Sequence, residues 1–235
     1  NIGLVLGITA LIGTIYVDKT FYRFHWPALM LFSILFYYFL SNDNQLTAIE
    51  GAILFTGLIV FVILVLKKSS DADPDDSIDA LTVVSNFKIV IWLLIGGVAL
   101  YFGSDWLVKG AIVIAKELGV SEAVISISIL AVGTSVPELA ASVMAVVRNE
   151  KAISLGNLIG SNIFNIGSVL GLTAMIKPLV VEDSLIISRD LIWMLVFAAV
   201  LLPFALLLKR HELKKTEGFA MVFMYGIFIY LVFIS

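Results

Sequence analysis

The chain has 235 residues, of which 60% are hydrophobic and 14% charged, with a net charge of −3 and no cysteine. A soluble domain of this size is only about half apolar, because its surface must face water. This balance argues against a nucleic-acid partner and excludes disulfide frameworks, thiol nucleophiles and soft-metal sites, leaving oxygen ligands for any bound cation.

The apolar residues come in blocks, and a spanning helix needs about 20 of them. In chain order the blocks fall at 1–17, 27–40, 48–66, 87–108, 120–147, 152–176, 185–208 and 217–235. The expected fold is all-α and polytopic in the lipid bilayer, since a β-barrel would show short alternating strands. The first block starts at Asn1 without a methionine and inside an apolar run, which reads as a truncated start and not as a signal peptide. Block 27–40 is short for a crossing and is expected to extend. His25 and His211 stand beside charged residues at loop edges.

The soluble stretch runs from Lys67 to Asn86 and holds Asp71, Asp73, Pro74, Asp75, Asp76 and Asp79. It lacks the central glycine and closing glutamate of a helix-loop-helix calcium site, so it reads as a solvated acidic linker. If the blocks alternate across the membrane, Lys67, Lys68, Arg148, Lys151, Lys209, Arg210, Lys214 and Lys215 share one side. Lys19, Arg23, Lys109, Lys116, Lys177 and Arg189 take the other. The excess places the linker in the cytoplasm and the C-terminus outside.

An internal repeat organises the chain. Asn1 to Ile12 matches Asn165 to Ile176 at nine of twelve positions with an offset of 164, including an asparagine, two glycines and a threonine. Glu50-Gly51 matches Glu217-Gly218 at an offset of 167. The chain is therefore read as a duplication. Residues 1–66 end a first copy with three spans, 67–86 link, and 87–235 form a second copy with five. An odd number of spans per copy makes the copies inverted, as in many secondary transporters. The missing start of the first copy suggests a protein of about 310 residues.

Polar residues interrupt two adjacent blocks. One carries Gly133-Thr134-Ser135-Val136-Pro137-Glu138; the next carries Gly156-Asn157-Leu158-Ile159-Gly160-Ser161-Asn162-Ile163-Phe164-Asn165. Glu138 and Ser161 each lie ten residues from the short Arg148–Lys151 loop. That is about 15 Å of helix, half the hydrocarbon thickness. They are expected to meet at the midplane. A carboxylate there is costly, and either a cation or a proton relieves it. Thr134 and Ser135 precede Glu138 by four and three residues and share its face, with Ala131 one turn further. Ser161 and Asn165 are likewise four apart. Pro137 disrupts the bond to the Gly133 carbonyl and frees backbone oxygens. The pairs Gly3/Gly7, Gly156/Gly160 and Gly167/Gly171 suggest close helix packing.

The 133–138 and 156–167 motifs, with Tyr101-Phe102-Gly103-Ser104-Asp105-Trp106-Leu107, resemble the second repeat of the cation/Ca²⁺ antiporter superfamily. That resemblance implies ten helices in two inverted halves, with ion sites between the repeats. It implies that Glu138 is the central Ca²⁺/Na⁺ carboxylate. Thr134, Ser135 and the Ala131 carbonyl would be ligands, Ser161 a facing Na⁺ ligand, and Asn1 the first-repeat counterpart of Asn165. Relatives carry Asp or Asn at position 165, and Asn leans against potassium dependence. The first-repeat GTSxPE helix is not in the chain, so half the implied site is missing.

The function expected is exchange of Na⁺ for Ca²⁺ by alternating access in a prokaryotic inner membrane, without a cofactor and not as an enzyme. A Ca²⁺/H⁺ antiporter is the alternative, and a cation channel or transport-inactive subunit comes from another class. An intramembrane hydrolase would need an activated Ser135 or Ser161, and no histidine or lysine lies near their depth.

Overall fold

Most of the described apolar residues close their backbone hydrogen bonds within helices, the arrangement a membrane interior demands. The computed structural model describes residues 1–70, 86–120, 125, 131–148, 153–206 and 212–234. The acidic run from Asp71 to Asp79, with Lys151, Lys209, Arg210 and His211, lies outside the described residues.

Among the described residues, six helical stretches are long and apolar enough to cross a membrane: Phe21–Asp43, Ala48–Lys67, Phe87–Glu117, Leu158–Ile176, Ile186–Leu206 and Lys215–Ile234. Ile2–Ile12 and Val136–Val147 are shorter apolar helices. The block expected at 27–40 extends at both ends. The helix expected to stop at residue 66 continues to Ser70.

By element, α1 is Gly7–Ile12, α2 Trp26–Asp43, α3 Ala48–Ser70, α4 Asn86–Glu117, α5 Ala131–Thr134 and α6 Val136–Val147. Then come α7 Ile153–Phe164, α8 Gly171–Ile176, α9 Leu191–Leu206 and α10 Lys215–Ile234. The π-helical segments Ile2–Leu6, Phe21–His25, Asn165–Leu170 and Ile186–Asp190 lead into α1, α2, α8 and α9. Two-residue strands among the described residues were not expected: β1 (Ile15–Tyr16), β2 (Gln45–Leu46), β3 (Leu179–Val180) and β4 (Glu212–Leu213). The all-α description holds otherwise.

Contacts divide the chain into two units, Asn1–Ile63 with Glu138–Ile234, and Leu64–Pro137. In the second unit, α4 ends where Gly119 adopts φ +76° and its N–H bonds the Lys116 carbonyl at 3.0 Å. Only glycine takes that left-handed conformation without strain. A Cβ on Gly133 would run into Val108, so α5 packs closely on α4.

The first unit displays the duplication in detail. Strand β1 pairs antiparallel with β4 and β2 with β3. The repeat offsets of 164 and 167 carry β1 onto β3 and β2 onto β4. Exchanging the copies therefore turns one ladder into the other, a pseudo-two-fold relation. Local bonds repeat too. Thr9 Oγ1 donates to the Val5 carbonyl at 2.7 Å, and Thr173 Oγ1 to Val169 at 2.6 Å. Glu50 accepts from the Thr47 N–H at 2.8 Å and Glu217 from the Lys214 N–H at 2.8 Å, each satisfying an orphan donor at a helix start.

Helix contacts follow the same relation. A Cβ on Gly218 would stand 2.7 Å from the Gly7 carbonyl, and one on Gly51 would stand 2.5 Å from the Gly171 carbonyl. Gly3 faces Phe197, and its equivalent Gly167 faces Phe32. In lipid, helices associate through such close packing, because the tails are as apolar as the side chains. Gly156 and Gly160 show no such approach among the described residues: none of them lies within 4 Å of a Cβ at either. Trp26 Nε1 also donates to the Ala198 carbonyl at 2.9 Å, tying α2 to α9.

Candidate functional site

The repeated asparagine stands at the start of a π-helical segment in each copy. Asn1 immediately precedes the π-helical Ile2–Leu6, and Asn165 opens the π-helical Asn165–Leu170. The wider turn shifts the carbonyl register, which is why π-helical turns are frequent at functional sites. Helix α7 and this π segment are continuous in the chain, so the block expected as one helix at 152–176 is an α–π–α rod.

Asn1 and Ser161 meet across the two copies. Asn1 Nδ2 donates to Ser161 Oγ at 3.5 Å, and Ser161 Oγ donates in turn to the Leu158 carbonyl at 3.0 Å. Asn162 Nδ2 bonds the same carbonyl at 2.7 Å. The other amide atom of Asn1, Oδ1, is buried and accepts no hydrogen bond. Buried acceptors are nearly always satisfied, so one left open here marks a place for a donor or a cation.

Glu138 lies in the first turn of α6 and is half-buried. Among the described residues no hydrogen bond or ion pair joins Glu138 to Asn1 or Ser161. One carboxylate, one amide oxygen and one hydroxyl form a hard-oxygen set, the type that Na⁺ and Ca²⁺ take. Among the described residues no group of three His, Cys, Asp or Glu side chains could hold a metal. Beside Asn1 opens a cavity of about 190 Å³ whose lining includes Gly3, Asn162, Asp190, Trp193 and Phe197.

Asn165 is exposed. The chain breaks between α5 and α6 at Ser135, whose N–H bonds the Val132 carbonyl at 3.0 Å, a tight turn just before Pro137. Thr134 is exposed and Ser135 half-buried, and both belong with Ala131 to the second unit. The Ala131 side chain is not among those described. Motif reading passes over two features. The π segments carry no known sequence mark beyond their repetition. Ser142, fully buried, follows Glu138 by four residues, a spacing that could have been read.

The sodium/calcium exchanger protein family matches residues 1–67 and 88–234. CaxA of Alkalimonas amylolytica is 36% identical over 242 residues, covering 100% of this chain and 75% of that protein. The sodium/calcium exchanger MaX1 of Methanosarcina acetivorans is 44% identical over 119 residues, covering 51% of this chain and 33% of its own length. A solved structure of the sodium-calcium exchanger NCX_Mj, soaked with 10 mM Na⁺ and 10 mM Sr²⁺, superposes with a TM-score of 0.78 at 30% identity. That likeness covers 97% of this chain and 71% of the solved one.

Proposed function

The chain belongs to the sodium/calcium exchanger protein family of cation antiporters, and from that premise we propose that it exchanges Na⁺ for Ca²⁺ across a prokaryotic inner membrane. The observation that carries the proposal is the open, buried Asn1 Oδ1, with Ser161 bonded to the same amide. A lone carboxylate within a bilayer costs about 2.5–3.5 kcal/mol on insertion scales. A bound cation removes that cost and takes the amide oxygen as a ligand. The two ions compete for the Glu138 oxygens, so one leaves before the other is held.

Thr134, Ser135, the Ala131 carbonyl and Asn165 are proposed to complete the ligand set during the cycle. The organisation proposed is 1–66 closing a first copy, 67–86 a cytoplasmic linker and 87–235 a second, inverted copy. The ladder exchange in the first unit supports that division. Two copies related by a pseudo-two-fold can swap conformations and expose one site to either side in turn.

The experiment reconstitutes the protein in sodium-loaded liposomes and follows radiolabelled calcium uptake with and without an outward sodium gradient. Uptake that requires the gradient and is lost in Glu138→Gln is the expected result. Uptake driven by a pH gradient and indifferent to sodium would make the protein a Ca²⁺/H⁺ antiporter. No counter-ion dependence would overturn antiport altogether.

A further inference from the structure

Hydroxyl side chains in these helices mostly bond back to their own backbone. Thr9, Ser41, Ser161, Thr173 and Ser188 each donate to a carbonyl three or four residues earlier. Ser33 and Ser142 do not. They are 1% and 0% exposed, and neither Oγ has a hydrogen-bond partner. Leaving a buried hydroxyl unpaired is destabilising, so each needs an explanation.

The neighbours on each face separate the two. On α2, Ser33 lies between Leu29 and Phe36 at helical spacing, both apolar. On α6, the residue one turn before Ser142 is Glu138. One turn after Ser142, Val146 stands where a Cβ on Gly13 would strike it. Ser142 thus lies on α6 between Glu138 and the point where that helix meets the first copy, and its hydroxyl is closed off from solvent.

We propose that Ser142 is a positioning residue for ion exchange: its hydroxyl donates to a Glu138 carboxylate oxygen when no cation holds that oxygen. The proposal rests on the reading of Glu138 as the ion-binding carboxylate. In the arrangement described, the Ser142 hydroxyl is left open. Turning the carboxylate along α6 satisfies both groups at once. Ser142 then competes with the cation for the carboxylate, which weakens binding and hastens release.

The test measures calcium half-saturation and maximal exchange rate in liposomes for the wild type, Ser142→Ala and Ser142→Thr. Without the hydroxyl, half-saturating calcium falls about tenfold, the worth of one hydrogen bond to a charged group, and the maximal rate falls with it. Ser142→Thr keeps the donor and restores both constants. In a Glu138→Asp background, whose carboxylate is too short to reach, Ser142→Ala moves neither constant. The melting temperature of Ser142→Ala is unchanged or higher, because no bond is lost from the folded state described.

A rise in half-saturating calcium would make the hydroxyl an ion ligand and overturn the proposal, as would unchanged constants in a folded variant. A wild type without cation exchange would overturn the Glu138 reading and this proposal together. A transporting wild type with an inert Ser142→Ala overturns this proposal alone.

Discussion

Replacing Gly218 by alanine tests the packing that joins the copies. The new Cβ would stand 2.7 Å from the Gly7 carbonyl oxygen, 2.9 Å from Leu11 N and 3.0 Å from the Ala10 carbonyl carbon. All three are backbone atoms of a packed helix, so no side chain can swing aside and α10 must shift away from α1. Overpacking of this kind costs about 1–3 kcal/mol. For a chain of this size that lowers the melting temperature by about 2–12 °C, at roughly 2–4 °C per kcal/mol. Intrinsic fluorescence from the four tryptophans, followed on heating in detergent, measures it. Gly226→Ala is the control on the same helix, because nothing lies within 4 Å of a Cβ there. Alanine at that position gains up to about 1 kcal/mol in helix propensity, so its melting temperature stays level or rises. Gly51→Ala, the equivalent change in the other copy, should behave as Gly218→Ala does, since its Cβ would stand 2.5 Å from the Gly171 carbonyl. If Gly218→Ala melts with Gly226→Ala, the helices do not approach as described and the argument from close packing is refuted.

Two further outcomes follow from the same architecture. Trp26→Phe leaves the buried Ala198 carbonyl without its side-chain donor and should cost about 1 kcal/mol by the same melting assay; an unchanged melting temperature would remove that bond from the account. The chain has no cysteine, so Tyr16→Cys with Glu212→Cys provides a clean cross-link across β1 and β4. Directly opposed strand residues hold their Cβ atoms about 4.5–5.5 Å apart, close enough for mild oxidation to join them. Mass spectrometry should find the disulfide there and not in Tyr16→Cys with Gln45→Cys, whose residues belong to different ladders.

Hydropathy alone determined that this chain spans a membrane as helices, because a backbone in lipid has no water to bond and must satisfy itself locally. The pattern shared by Asn1–Ile12 and Asn165–Ile176 determined the duplication, since small and polar residues in register do not arise from apolar composition. Helix rise and loop position were enough to single out Glu138 and Ser161 as candidates. Other features needed the folded chain. No local signal announces that β1 pairs with β4 and β2 with β3, because two-residue ladders carry no periodicity and depend on which ends the copies bring together. Gly7 and Gly156 look alike in sequence, yet among the described residues Gly7 meets a backbone and Gly156 meets none, and only packing decides which. The unpaired Asn1 Oδ1 and Ser142 Oγ are likewise tertiary facts. A side chain's hydrogen bonds depend on what surrounds it, and in a membrane helix those surroundings come from other segments.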